Sequence, residues 1–132
     1  ADIYADNGAD TQTARNYIER AKVIIEELDE EEKERIKFKV ENIEGWICFN
    51  QNENEKAVRL LEKTLANFLD EPKYHSRLAY SYEKYADSFT EPKLKNEYLN
   101  RAVSQWKIVS KFSGNNFFKA LADEKLQKLA KL

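Results

Sequence analysis

The sequence is short of the residues that build sheets, staples and cofactor loops. In 132 residues it has one cysteine, one histidine, two prolines, three glycines and no methionine. A lone cysteine, Cys48, cannot close an internal disulfide, so a disulfide-stapled scaffold is excluded and a reducing, cytoplasmic setting is expected. So few glycines and prolines leave too little turn chemistry for a sheet-rich protein. No apolar run approaches the length of a membrane span, and no glycine-rich phosphate loop or dinucleotide fingerprint is present. Charge of one sign is missing too: 22 basic and 24 acidic residues give a net charge of −2. That balance offers no general attraction to nucleic acid or to an anionic membrane.

What remains is rich in Ala, Leu, Glu and Lys, which points to an all-α chain. Its length suits a single domain with one core. It opens on Ala1-Asp2-Ile3-Tyr4, with neither Met nor a basic, apolar leader, and is expected to be a fragment of a larger protein. The ends differ in charge. Residues 1–50 carry 13 acidic against 7 basic residues, and 101–132 carry 2 against 7. The basic positions at the end, Arg101 to Lys131, spread around two helices and need not form a nucleic-acid stripe.

Apolar residues recur at three- and four-residue spacing in six stretches. The first, from Thr11, runs through Ala14, Tyr17, Ile18, Ala21, Ile24, Ile25 and Leu28. The second follows the acidic junction at 29–34, with Ile36, Val40, Ile43 and Ile47 on one face; Asn50 to Asn54 end it. A third spans Ala57 to Phe68. Pro72 and Pro92 then sit where a first helical turn tolerates a missing N–H, opening a fourth helix (Tyr74 to Phe89) and a fifth (Leu94 to Phe112). Gly114 supplies a left-handed C-cap, and a sixth helix runs from about Asn116.

The stretches also repeat. Ala14-(x)3-Ile18-(x)2-Ala21 aligns with Ala57-(x)3-Leu61-(x)2-Thr64 and with Lys95-(x)3-Leu99-(x)2-Ala102, at offsets of 43 and 38 residues. A helical hairpin recurring at this interval is the signature of a solenoid whose units bury apolar faces on one another. With Gly45, Cys48, Leu78, Ala79 and Tyr82 on the preceding helices, the pattern resembles the tetratricopeptide-repeat family, although that family's repeat is shorter, about 34 residues. Ala1, Tyr4 and Gly8 then look like the end and turn of a severed first hairpin. The resemblance implies antiparallel hairpins stacked as a short right-handed superhelix, with units at about 1–29, 30–71 and 72–112 and a terminal helix at 116–132. The long repeats also resemble the helical-repeat regions of larger bacterial regulators.

The same resemblance implies a non-enzymatic scaffold that binds a protein or peptide on the concave face lined by the first helix of each hairpin. Lys39, Asn42 and Trp46 in one unit, and Lys73, Arg77 and Tyr80 in the next, would face that surface. Lys73 with Arg77 resembles the pair that holds a C-terminal carboxylate in some members, where an ammonium and a guanidinium give charge-assisted hydrogen bonds. Ile43, however, stands where those members have Asn. Two other roles fit the sequence: a ligand-sensing or dimerisation module of a larger transcriptional regulator, and a structural assembly domain that self-associates through its terminal helix.

Catalytic chemistry is thinly represented. His75 has no paired-ligand spacing, and Cys48 lies on a different repeat, where it reads as a small buried hydrophobe. No cofactor, metal or catalytic residue is expected. Among the aromatics, Trp46 and Trp106 suit the core, while Tyr74, Tyr80, Tyr82 and Tyr85 cover more than one helical face and cannot all serve one stripe.

Overall fold

A computed structural model describes residues 8–24, 29–114 and 116–131. The fold is all-α, with six helices among the described residues: α1 (Gly8–Ile24), α2 (Glu30–Asn50), α3 (Asn54–Leu65), α4 (Pro72–Asp87), α5 (Pro92–Ser110) and α6 (Asn116–Leu129). Within each half, sequential helices contact one another, α1 with α2 and α2 with α3, then α4 with α5 and α5 with α6, as in a bundle or helical-repeat protein. They form two compact units, Ala1–Asn67 and Phe68–Leu132. The readings of Ala1, Tyr4, Ile25 and Leu28, and of the last residue of the expected terminal helix, fall outside the described residues.

In the first unit, α1 turns Thr11, Ala14, Ile18 and Ala21 inward. Ile24, counted with that stripe in the sequence, is 51 % exposed; at 100° per residue it falls off the face that Ala14 and Ile18 define. The start of α2 follows from its acids. The Asp29 carboxylate accepts the Glu32 N–H at 2.9 Å, and Glu30, Glu31 and Glu32 sit where the helix dipole is positive. Its end is a Schellman turn. Glu53 N donates to the Cys48 carbonyl (2.9 Å) and Asn52 N to that of Phe49 (3.2 Å), with Asn52 in the left-handed region at φ 64°. Asn is one of the few non-glycine residues that accept this conformation cheaply.

The turn folds α3 back on α2. Val40, Ile43 and Ile47 of α2 and Ala57, Val58 and Leu61 of α3 are all buried, and each fully buried large aliphatic contributes about 1.5–3 kcal/mol. Gly45 sets the spacing of the two helices, because a Cβ there would lie 3.0 Å from Leu60 Cβ and 3.1 Å from Leu61 Cγ.

In the second unit, Pro72 and Pro92 occupy the first turns of α4 and α5, as the sequence suggests. α4 stops at Asp87, two residues short of Phe89, where the Ser88 hydroxyl donates to the Tyr85 carbonyl at 2.6 Å. Ala79 and Ala86 of α4 and Ala102 of α5 are fully buried, which lets the backbones approach around Leu78, Tyr82, Trp106 and Val109. Gly114 has φ 80°, the left-handed geometry anticipated for it, between α5 and α6.

Candidate functional site

The α2 candidates lie at i, i+3 and i+7 and share one face. Lys39 is half-buried, its Nζ 5.9 Å from the Tyr17 ring centroid. Asn42 is fully buried, and its amide donates to Thr64 Oγ1 at 2.8 Å. The Thr64 hydroxyl in turn donates to the Leu60 carbonyl at 2.9 Å. The amide and the hydroxyl therefore explain each other: Thr64 stands where the repeat pattern has Ala because a buried amide faces it. Trp46 is buried and stacks on Phe49, ring centroids 4.4 Å apart.

This pair carries a direct expectation. Asn42→Leu alone or Thr64→Val alone should each cost about 1–3 kcal/mol, because the buried hydrogen bond between them is lost while one polar group stays in place. The double variant should recover most of that loss, since two apolar groups then meet. Urea unfolding of the four chains measures the coupling, and additive losses would show that the hydrogen bond has no energetic role.

On α4, Lys73 Nζ lies 5.0 Å and Arg77 Cζ 5.4 Å from the Tyr74 ring centroid. Two cations thus lie near one aromatic ring, and the ring quadrupole attracts each of them. Lys73 is half-buried and Arg77 buried; Tyr74 is also buried and stacks on Phe68 at 4.2 Å. Tyr80, half-buried, meets different neighbours: it stands edge-on to Trp106 at 5.0 Å and has Lys125 Nζ 4.9 Å from its centroid. The α4 face therefore has two parts, a cationic pair on Tyr74 and an aromatic step at Tyr80.

Glu83 was not among the sequence candidates. One carboxylate oxygen accepts the Trp106 indole N–H at 2.8 Å, and the other lies 3.4 Å from Lys125 Nζ. The only sequence signal is that Glu83 follows Tyr80 by three residues and shares its face. Also unforeseen is a cleft of about 260 Å³ in the first unit, bordered by Arg15, Glu19 and Lys22 of α1 and by Glu44, Cys48 and Lys56. Burial pushes the Cys48 thiol above its ordinary range, and the adjoining Glu53 carboxylate pushes the same way. Such a thiol stays protonated and is a poor nucleophile.

His75 is buried with both ring nitrogens engaged: Nδ1 is 2.8 Å from Gln105 Oε1 and Nε2 is 2.9 Å from the Leu69 carbonyl. It ties the segment before α4 to α5. Among the described residues, no three His, Cys, Asp or Glu side chains are grouped to hold a metal ion, and no helix is long and apolar enough to cross a membrane. No family model, curated protein or solved structure matches the chain.

Proposed function

We propose that this chain is a non-enzymatic protein- or peptide-binding scaffold of the tetratricopeptide-like kind, working in the cytoplasm. It presents the first helices of its hairpins through part-exposed residues, Lys39 on α2 and, separately, Lys73 and Tyr80 on α4; Asn42, Trp46 and Arg77, the other sequence candidates, are buried and act from within the fold. The observation that carries the reading is the double cation on one ring, Lys73 and Arg77 over Tyr74. An ammonium and a guanidinium held one turn apart suit a carboxylate, and Lys73 is the part-exposed member of the pair. Gly45 and Ala79 support the hairpin part of the reading: both are small first-helix residues with no room beside them.

The test compares fluorescein-labelled peptides that end in a free carboxylate with the same peptides amidated. Amidation is expected to weaken binding about tenfold, equivalent to about 1.4 kcal/mol. Lys73→Ala, with its helicity checked by circular dichroism, should weaken the free-acid form to the same level and leave the amide unchanged. Equal binding of acid and amide forms would remove Lys73 and Arg77 from the site.

A further inference from the structure

The cleft in the first unit is a concave feature that the peptide-binding reading leaves unused. At about 260 Å³ it is smaller than the roughly 300–1,000 Å³ clefts that take drug-sized ligands, which excludes a nucleotide or a peptide helix and leaves room for one small molecule. Among the described residues its charged lining is balanced. Three cations, Arg15, Lys22 and Lys56, and three carboxylates, Glu19, Glu44 and Glu53, border it, over a floor of buried Ile18 and Ile47. A phosphate or a metal ion would meet like charge there as well as opposite charge, whereas a zwitterion can set each of its ends against a complement.

The charges are also sorted by position. α1 and α2 run antiparallel, so Lys22 Nζ meets Glu44 Oε1 at 3.8 Å at one end, and Arg15 Nη2 meets Gln51 Oε1 at 3.4 Å at the other. Seven residues of α1 separate the two contacts, about 10 Å along the helix. Glu53 belongs to the Arg15 end, because its N–H closes the turn on the Cys48 carbonyl and its carboxylate adjoins the Cys48 thiol. Both cross-helix contacts are long beside the usual 2.7–2.9 Å or so of a charge-assisted hydrogen bond, so Arg15 keeps donors for a ligand.

We propose that this cleft binds a free α-amino acid with an aliphatic side chain. The ligand's carboxylate pairs with Arg15 and Lys56, and its ammonium with Glu53 and the Gln51 amide oxygen. Its side chain lies along Ile18 and Ile47 toward the Lys22–Glu44 bridge, which closes the far end. A carboxylate and an ammonium on one carbon need opposite charges close together, and the junction of α2 with α3 supplies them between Gln51 and Lys56. The site draws on α1, α2 and α3 alone and does not depend on the peptide face at Lys73.

Leucine is the probe, titrated into the full chain and followed by calorimetry. It should bind with a dissociation constant below about 1 mM, and leucinamide, without the carboxylate, and isocaproate, without the ammonium, should each bind about tenfold more weakly or worse. Arg15→Gln and Glu53→Gln, both on the exposed rim, should each weaken leucine by a similar factor and leave the unfolding midpoint unchanged. Cys48 reports the location. As the chain's one thiol and part of the cleft wall, it should be alkylated by iodoacetamide several-fold more slowly with leucine present, and Arg15→Gln should remove that protection. No binding at about 10 mM leucine, equal binding of leucine and leucinamide, or unchanged alkylation of Cys48 at saturation would each overturn the proposal. So would tighter binding of glutamate or lysine than of leucine, since the aliphatic floor would then take no part in recognition. The Lys73 peptide comparison probes α4, so either reading can fail alone.

Discussion

Trp106→Ala is expected to destabilise residues 68–132 by about 4 kcal/mol, toward the upper end of what large-to-alanine core truncations cost. Two losses combine. The side chain is fully buried, so its removal leaves a cavity between α4 and α5 that Val109 and Ala102 are too small to fill. It also donates to Glu83, so truncation strips one oxygen of a part-buried carboxylate of its partner. Trp106→Phe separates these effects: it keeps most of the ring and loses the donor, for an expected cost of about 1–3 kcal/mol. Urea unfolding followed by circular dichroism reads both. A loss below about 1 kcal/mol for Trp106→Ala would mean that α4 and α5 close over the gap, against the rigid packing described here.

The second large effect is at Gly45. Gly45→Leu should cost about 3 kcal/mol or more in the first unit, because the new side chain must displace Leu60 and Leu61, already within 3.2 Å of the position its Cβ would take. Gly45→Ala is the informative control. It gains about 1 kcal/mol of helix propensity and loses a comparable amount to crowding, so its net change should be small. Both are measured as shifts in unfolding midpoint, with hydrogen exchange showing whether the loss is confined to α1–α3. If Gly45→Leu is neutral, α2 and α3 are not locked at the spacing seen.

The helices were legible because their signals are local. Asp29 and its acids, Asn52, the two prolines and Gly114 each act on backbone within a few residues, and each ends or begins an element where its chemistry predicts. The misjudged ends have equally local causes. Phe89 carries on the apolar rhythm of α4, but the Ser88 hydroxyl takes up a carbonyl first. Side-chain pairing across helices left far less trace. Asn42 and Thr64 are 22 residues apart, Glu83 and Trp106 are 23 apart, and Glu83 and Lys125 are 42 apart. No periodicity links such positions. Asn42 and Arg77 show the limit most sharply: in sequence they read as polar residues on an open face, and both are buried. A polar side chain on a helix face does not declare whether a partner inside the fold awaits it.

Each compact unit contains a single tryptophan, Trp46 in the first and Trp106 in the second, and both are shielded from solvent. Their surroundings are chemically unlike: one indole lies flat on Phe49, while the other points its N–H at a carboxylate. The chain thus carries two built-in optical reporters, one per half, with no dye or label required. With Trp46 replaced by Phe, the remaining emission follows only the second half during refolding, and Trp106→Phe leaves the first half alone in view. The order in which the halves acquire structure can then be read from the colour of the emitted light.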